Sequence, residues 1–211
     1  GISTGLTAYF GIYEVGQVKK DEIVLVSGAA GGVGMMVCLL AKIRGAKVIG
    51  IAGGKEKCDV LLNEIGVDAS IDYKNQNINE QIKVHAPEGI DIFFDNVGGE
   101  FLNTALMNIN QSARIAICGA ISGYNNETPA PGPSNYTSLI IQRARMEGFI
   151  VLDYMDRFPA AVGELMQWVQ EGKIIYQEDI QEGIEHAPDT LLRLYTGKNK
   201  GKQLLKIADP D

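Results

Sequence analysis

Continuous apolar runs and amphipathic helical stretches alternate along the first half of the chain. Polar residues do not interrupt the runs at every second position, and this continuity is typical of strands that are covered on both faces. Between the runs, apolar residues recur at the spacing of a helix. The alternation predicts an α/β protein with a doubly wound parallel sheet. The predicted strands are 22–26, 47–52, 68–73, 90–95 and 113–117, and the predicted helices are 33–44, 57–65, 78–85 and 100–109.

The pattern becomes less regular after the fifth predicted strand. Residues 119–135 are rich in Gly, Pro, Asn and Ser. A connection of this length in a compact domain often carries binding residues. Beyond it we expect helices at 136–143, 158–171 and 187–195, and strands at 146–152, 174–180 and 202–207.

The first predicted strand runs directly into the glycine-rich stretch Ser27-Gly28-Ala29-Ala30-Gly31-Gly32-Val33-Gly34. A strand, a tight glycine turn and a helix in this order present backbone N–H groups and a helix dipole to a pyrophosphate. Ala29 and Gly31 let the backbone approach the phosphates, and Gly34 lets the helix pack closely on the sheet. The stretch therefore predicts a dinucleotide site, and the alternative is a flexible loop between two core elements.

The end of the second predicted strand indicates which dinucleotide binds. An NAD-specific site has an Asp or Glu there that accepts from the ribose 2′-OH, whereas this chain has Gly53-Gly54-Lys55-Glu56-Lys57. Lysines attract a 2′-phosphate, so the segment predicts NADP(H). The alternative is that Lys55 and Lys57 only decorate a solvated helix, although the first turn of a helix disfavours cations.

Composition excludes several other classes of function. The chain has 211 residues, 45% of them hydrophobic, and a net charge of −7. This acidic balance argues against nucleic acid or an anionic membrane surface as a partner, and no apolar stretch approaches the length of a membrane span. Three cysteines and two histidines, at spacings that fit neither a disulfide framework nor a zinc cluster, predict no metal site and a reducing, cytoplasmic compartment.

Four segments together resemble one family. They are Leu6-Thr7-Ala8-Tyr9, Ala29-Ala30-Gly31-Gly32-Val33-Gly34, Phe94-Asp95-Asn96-Val97-Gly98-Gly99 and Ile117-Cys118-Gly119-Ala120-Ile121-Ser122-Gly123-Tyr124-Asn125. In this order they resemble the zinc-independent medium-chain dehydrogenases/reductases. Within that family the chain is most similar to the leukotriene 12-hydroxydehydrogenase/prostaglandin reductase group with its curcumin-reductase-like relatives.

The resemblance implies a function and a domain organisation. Members of the group use NADPH to reduce the double bond of α,β-unsaturated carbonyl compounds, and many are dimers. A GroES-like catalytic domain precedes their nucleotide-binding domain. We therefore expect a Rossmann NADP(H)-binding domain at 1–172 and a segment at 173–211 that returns toward a catalytic domain missing before Gly1. The sheet edge near 146–152 is a possible homodimer interface. Quinone oxidoreduction and a non-catalytic NADPH-binding module remain the alternatives.

The resemblance also assigns site residues. Those expected at the pyrophosphate are Ala29, Gly31, Gly32, Val33, Gly34 and Met35, and those expected at the adenosine 2′-phosphate are Gly54, Lys57 and Tyr73. Those expected around the nicotinamide are Asn96, Cys118, Gly119, Ala120, Ile121, Ser122, Tyr124, Phe149, Ile150 and Val151, with Asn199 reaching back from the tail. Several relatives have Ser-Asp near Gly53-Gly54, so the adenosine contacts are expected to differ in detail.

Tyr124 is the catalytic candidate. Its hydroxyl is placed to hydrogen-bond the nicotinamide ribose or to polarise the substrate carbonyl, and Tyr136 is a second candidate for the same task. Structural alternatives stay open for two of the cofactor residues: Tyr73 may end a strand and Asn96 may shape a turn. Cys118 is interpreted as a small core residue rather than a nucleophile, because nothing cationic lies near it in the sequence.

Overall fold

The computed structural model describes residues 2–124, 127–128 and 131–209; Asn125 of the fourth motif lies outside them. Eight strands are present in the described part of the chain. They are β1 (Ile23–Val26), β2 (Lys47–Ala52), β3 (Ala69–Asp72), β4 (Ile90–Asp95), β5 (Ile109–Ile117), β6 (Arg145–Gly148), β7 (Glu178–Glu182) and β8 (Lys202–Lys206).

The α-helices alternate with these strands. They are α1 (Ile2–Phe10), α2 (Gly32–Ile43), α3 (Lys55–Val60), α4 (Ile78–His85), α5 (Glu100–Leu106), α6 (Ser138–Gln142), α7 (Phe158–Gln170) and α8 (Ala187–Tyr195). Two of them continue as π-helices, α1 through Gly11–Val15 and α3 through Leu61–Ile65. Short 3₁₀ segments lie at Ile121–Gly123, Val151–Arg157 and Ile184–His186.

Six strands form one parallel sheet in the order β3-β2-β1-β4-β5-β6. The order reverses between β1 and β4, which is the arrangement of a dinucleotide-binding fold with its ligand crevice at the carboxyl ends of the strands. The predicted doubly wound parallel sheet is confirmed. β7 and β8 pair separately as a two-stranded parallel sheet.

Helices cover both faces of the large sheet, and this explains the continuous apolar runs. Val24 and Val26 of β1 belong to the core on one face, together with α1, α2 and α7. Leu25, between them, belongs to the core on the other face, with α4 and α5. All three side chains are completely buried, as expected for a strand whose two faces are both removed from water.

Several predicted elements have different ends; the strand predicted at 113–117, for example, begins at Ile109, and the helix predicted at 136–143 spans Ser138–Gln142. The strand predicted at 146–152 stops at Gly148, because Ile117, its last partner in β5, is also the end of that strand; a 3₁₀ segment follows. The helix predicted at 100–109 ends at Leu106, where the Asn108 side chain donates to the carbonyl of Thr104 at 2.8 Å. Ile109 already belongs to β5.

The strand predicted at 174–180 begins only at Glu178. Ile174 is buried, and its N–H donates to the carbonyl of Trp168 in α7 at 3.2 Å. This residue therefore ends the α7 turn, and pairing with β8 starts at Glu178 opposite Lys202. Among the described residues, no helix is both long and apolar enough to cross a membrane.

Candidate functional site

The glycine-rich turn connects β1 to α2 at the carboxyl edge of the sheet. Gly28 has a φ of +58°, which favours glycine. Gly31 caps α2 in an extended conformation without a side-chain cap. The first backbone hydrogen bond of the helix runs from Met35 N–H to Gly31 at 2.9 Å. The N–H groups of Gly32, Val33 and Gly34 precede it, which is the arrangement that binds phosphate at a helix N-terminus.

Gly34 holds the helix against the turn. A Cβ at this position would lie 2.3 Å from the Gly28 carbonyl oxygen and 2.7 Å from the Ala29 Cα. Both are backbone atoms, so a side chain would separate α2 from β1. Ala29 is fully buried and its N–H donates to Ile51 at 2.9 Å, and Met35 is buried as well. These two residues shape the turn from its inner side.

The C-terminal tail crosses this turn. The Gly201 N–H donates to the Ala30 carbonyl at 3.2 Å, and a parallel bridge joins Gly31 to Gly201. Asn199 is buried, and its side-chain amide donates to the Gly201 carbonyl at 2.9 Å. The structure thus brings Asn199 to the pyrophosphate side of the crevice, although it lies far from the turn in sequence.

A group of lysines surrounds the end of β2. Lys57 donates from Nζ to the Gly197 carbonyl of the tail at 2.9 Å. Its burial, together with the nearby ammonium groups of Lys74 and Lys200, lowers the pKa of Lys57. Such a group gains from an anion that replaces the lost hydration. Lys55 instead forms an ion pair of 2.5 Å with Asp59 and points into solvent.

Tyr73 and Gly54 lie beside these lysines. A Cβ at Gly53 would come within 2.9 Å of the Tyr73 hydroxyl oxygen, so the absence of a side chain at Gly53 lets the Tyr73 ring lie across the end of β2. The ring remains 44% exposed. A Cβ at Gly54, whose φ is +95°, would have no heavy atom of the described residues within 4 Å. Gly54, Lys57 and Tyr73 are therefore brought together around an open space.

Asp72 is a carboxylate near the ribose position that the sequence did not indicate. It ends β3, and its Oδ1 accepts from the N–H groups of Gly54 at 2.7 Å and Lys74 at 3.1 Å. Its Oδ2 accepts from the Asn75 amide at 2.7 Å. Led by the Asn75 hydrogen bond, these donors hold the pKa of Asp72 below its usual range. The carboxylate stabilises the Gly54 turn.

The turn after β4 is tied to the turn after β1. The Asn96 side chain donates to the Ser27 carbonyl at 2.7 Å, and the Asn96 N–H donates to the Ser27 hydroxyl at 2.9 Å. The Ser27 hydroxyl donates in turn to Oδ1 of Asp95 at 2.7 Å. Asn96 therefore shapes a turn, which was the structural alternative. It also lies at the carboxyl edge of the sheet, so the predicted contact with the cofactor stays a prediction.

The segment after β5 lies directly against the turn after β4. The N–H and hydroxyl of Ser122 both donate to the Val97 carbonyl, at 3.1 and 2.6 Å. The Cys118 and Gly119 N–H groups donate to the Asp95 carbonyl at 2.8 and 3.1 Å. Burial, with a contribution from the Asp95 charge, raises the pKa of Cys118 to about 11. The thiol is therefore protonated at neutral pH, which agrees with its interpretation as a core residue.

Tyr124 folds back over this segment. Its hydroxyl oxygen accepts from the Ala120 N–H at 3.2 Å, and the side chain is 62% exposed. The hydroxyl hydrogen is not used in that bond. Ala120 and Ile121 lie in the same turn, between Tyr124 and the end of β4. Tyr136, the second candidate, is 59% exposed and precedes α6.

Phe149, Ile150 and Val151 follow β6 at the same edge of the sheet. The Phe149 ring contacts the Phe94 ring edge-on, with centroids 6.2 Å apart. A Cβ at Gly11 would lie 2.5 Å from the Phe149 ring, so the start of the first π-helix is close-packed against it. Ile150 is 61% exposed, while Val151 packs against the core.

An apolar cavity of about 350 Å³ adjoins the glycine-rich turn through Gly32 and Met35. It lies between the first turn of α1, the start of α2, α7 and the segment 174–178. Within the described residues, no group of three or more His, Cys, Asp or Glu side chains is arranged to hold a metal ion. The donor set in this part of the chain does not fit a zinc site.

A family model described as "Zinc-binding dehydrogenase" matches residues 32–171. The chain belongs to this family. Within the family, the chain belongs with the zinc-independent medium-chain reductases that its motifs resemble.

Three relatives illustrate the similarity. YfmJ of Bacillus subtilis (strain 168) is 48% identical over 98% of this chain and 62% of its own length. The NADPH-dependent curcumin reductase of Escherichia coli (strain K12) is 40% identical over 98% of this chain and 61% of its own length. The crystal structure of CurA from Vibrio vulnificus in complex with NADPH superimposes with a TM-score of 0.92 at 39% identity, covering 98% of this chain and 63% of that chain.

The chain thus spans about three fifths of the length of the curated relatives it matches.

Sequence reasoning missed Asp72, Lys74, Lys200 and the Ser27–Asp95 pair. A signal existed for Asp95, because an acidic residue at the end of a predicted buried strand is buried only with partners. For Lys200 no local signal existed, since the fold of the tail brings it to Glu56 and Lys57.

Proposed function

We propose that the protein containing this chain is an NADPH-dependent reductase of the carbon–carbon double bond of α,β-unsaturated carbonyl compounds. The observation that carries the cofactor is that one tail segment contacts both Lys57, beyond the end of β2, and the glycine-rich turn that begins α2. The substrate class is supported by relatives named 2-alkenal reductase (NADP(+)-dependent) from Nicotiana tabacum and NADPH-dependent curcumin reductase.

Different residues would bind different parts of the cofactor. Gly32, Val33 and Gly34 would hold the pyrophosphate by backbone N–H groups, and Lys57 would pair with the 2′-phosphate. Asn96, the 118–122 segment and Phe149–Val151 would enclose the nicotinamide, while Asn199 would close the crevice from the tail. Bound NADPH would supply the hydride for the β-carbon of the substrate, and a proton added to the α-carbon of the resulting enolate would complete the saturated carbonyl.

Tyr124 is the proposed catalytic residue. As the β-carbon gains a hydride, negative charge develops on the carbonyl oxygen of the substrate. The Tyr124 hydroxyl accepts from Ala120 and so keeps its hydrogen available for that oxygen. A fixed donor aimed at developing charge is the kind of group that lowers a reaction barrier. The same hydroxyl could bind the nicotinamide ribose, which is the alternative role.

A further domain is part of the proposal. The tail at 173–211 leaves apolar side chains in solvent, among them Tyr176, Ile184 and Leu192, which are 66%, 65% and 56% exposed. Exposed apolar groups in such a concentration mark an interaction surface. We propose that a catalytic domain preceding residue 1 covers this tail and the apolar cavity, and so completes the substrate pocket.

We also propose a reducing, cytoplasmic compartment, in keeping with the free thiols of Cys38, Cys58 and Cys118.

The full-length protein tests this function directly. With NADPH and a panel of enals, enones and quinones, we expect mass spectrometry to find saturated carbonyl products, and turnover with NADH to be much slower. Turnover of quinones alone would favour the quinone oxidoreductase alternative. Tight NADPH binding without turnover of any member of the panel would favour a non-catalytic module.

A homodimer through the β6 edge is proposed as well. Each residue of β6 is exposed, and Ile140 and Ile141 beside it are 73% and 69% exposed. An open strand edge next to apolar side chains is a surface that natural proteins cover. Light scattering should give twice the chain mass for the full-length protein and a shift toward one chain mass for Ile141→Asp, but not for the tail control Ile184→Asp. A wild-type protein of one chain mass would contradict the dimer.

A further inference from the structure

Asp95 lies beneath the crevice, at the end of β4, and contacts all three turns that line its centre. Its side chain is completely buried. Oδ1 accepts three hydrogen bonds: from the Ser27 hydroxyl at 2.7 Å and from the N–H groups of Val97 and Gly98 at 2.9 Å each. Its backbone carbonyl accepts from the first two residues after β5. One residue therefore holds the turns after β1, β4 and β5.

The turn after β4 cannot hold this shape by itself. Gly98 and Gly99 have φ values of +73° and +59°, a region in which the backbone has few local preferences to fix it. The N–H groups of Val97 and Gly98 point inward to Asp95, while the Val97 carbonyl points outward to Ser122. The position of the segment that carries Tyr124 thus depends on the turn that Asp95 orders.

Asp95 is not needed merely to join strands. Asp91, at the other end of β4, already does so: its Oδ2 accepts from the Ile23 N–H at 2.8 Å and its Oδ1 from the Asn110 amide at 2.9 Å. Oδ2 of Asp95, in contrast, is buried without a hydrogen-bond partner among the described residues. The hydrogen bonds of the Asp95 side chain thus all go to turns at the carboxyl edge of the sheet, whereas those of Asp91 go to residues of β1 and β5.

We propose that Asp95, acting with Ser27, is a positioning residue that fixes the spacing between the pyrophosphate turn and the nicotinamide-side segment 118–124. The inference rests on the proposed NADPH-dependent function. It predicts that Asp95 controls the binding of the nicotinamide half of the cofactor and leaves the adenosine 2′-phosphate end unchanged. That end is formed by β2, β3 and the tail, which Asp95 does not contact through any of the hydrogen bonds described.

Two probes of the full-length protein separate these effects. NADPH spans the whole crevice, whereas adenosine 2′-monophosphate occupies only the lysine end. For Asp95→Ala, we expect the Kd of NADPH to rise at least about tenfold, because the N–H groups of Val97 and Gly98 lose their acceptor. The Kd of adenosine 2′-monophosphate should stay within about twofold of wild type, since no acceptor is lost at that end. Asp95→Asn keeps an acceptor oxygen at Oδ1, so it should restore NADPH binding to within about threefold of wild type.

Asp91→Ala is the matched control, because it removes a partly buried, hydrogen-bonded carboxylate from the same strand. It should lower the Tm and leave the Kd of both probes unchanged. Parallel loss of both probes in Asp95→Ala, an unchanged NADPH Kd, or an Asn variant as weak as the Ala variant would each overturn the proposal. Failure of the wild-type protein to bind NADPH would instead contradict the proposed function.

Ser27→Ala provides the test if Asp95→Ala does not fold. It removes one hydroxyl and keeps the carboxylate acceptor for Val97 and Gly98. The β1 turn then loses its side-chain bond to Asp95, and the Asn96 N–H loses its acceptor, while Val97 and Gly98 remain bound to Asp95. The Kd of NADPH should rise several-fold with that of adenosine 2′-monophosphate unchanged, and an NADPH Kd equal to wild type would overturn the proposed link.

Discussion

At the scale of single residues, Lys57 is the group that we propose distinguishes the two nicotinamide dinucleotides. Its ammonium is half-buried, is hydrogen-bonded to the Gly197 carbonyl and has Lys74 and Lys200 nearby. Repulsion among these cations and the loss of hydration both disfavour the charged form of Lys57. A phosphate dianion would relieve both effects, whereas the 2′-hydroxyl of NADH would relieve neither. We therefore propose that the selectivity resides in Lys57, whose ammonium lies among the Lys74 and Lys200 cations as well as the Glu56 and Asp179 carboxylates.

Lys57→Ala should weaken NADPH binding by about 10- to 100-fold, the range for loss of a charged hydrogen bond, and should change NADH binding little. Nucleotide fluorescence titration measures both. Lys55→Ala is the control from the same helix, because Lys55 is already paired with Asp59, and it should keep the preference. The NADPH preference of the wild type should decrease with added salt. Equal affinities for NADPH and NADH in the wild type would refute the assignment.

Tyr124 is the residue on which we propose that the chemical step depends. In the full-length protein, Tyr124→Phe keeps the ring that packs on the 118–123 turn and removes only the hydroxyl. Loss of a donor to developing charge should lower kcat by about a hundredfold, whereas loss of a ribose contact should mainly raise the KM for NADPH. Steady-state kinetics distinguish the two roles. A lower Tm with both kinetic parameters unchanged would show that Tyr124 is structural.

At the scale of elements, the close contact between α2 and the glycine-rich turn sets the geometry of the pyrophosphate site. Gly34 permits this contact, and the nearest atoms to its missing side chain are backbone atoms that cannot rotate away. The helix N-terminus is consequently held directly over the crevice. Its N–H groups face the phosphates only while that packing is maintained.

Gly34→Ala should destabilise the protein by about 1–3 kcal/mol, the usual range for overpacking, and should weaken NADPH binding at the same time. Gly163 in α7 is the matched control. A Cβ there would meet no heavy atom of the described residues within 4 Å, so Gly163→Ala should stabilise by about 0.5–1 kcal/mol through helix propensity. Denaturant unfolding with an NADPH titration checks both variants. A Gly34→Ala protein with wild-type stability would contradict the packing argument.

The first five strands and their helices could be predicted from the sequence because each carries its own pattern. β2, α4 and β4, for example, begin and end at the predicted residues. The ends of β6 and β7 could not, because they are set by the partner: β6 stops where β5 stops, and β7 begins opposite Lys202. The same distinction applies to the site. The glycine turn is a local motif, whereas the meeting of Lys57 with Gly197 depends on a tertiary fold of the tail.

At the scale of the whole molecule, the crevice is formed from one end of a six-stranded sheet and closed by a tail from the far end of the chain. This accounts for cofactor binding and leaves one side of the nicotinamide open to a second domain. Water must be excluded from that side if hydride is to reach the substrate. The proposed catalytic domain would meet this requirement, while Asp95 is proposed to fix the spacing of the turns beneath the crevice.

The position of the transferred hydrogen tests the account most directly. The full-length protein would be supplied with NADPH deuterated at nicotinamide C4 on the transferred face, and with an enone, and the product examined by NMR and mass spectrometry. We predict one deuterium on the β-carbon of a saturated carbonyl product. Deuterium on the carbonyl carbon of an allylic alcohol, or reduced quinones as the sole products of the enzyme, would contradict the proposed double-bond reductase.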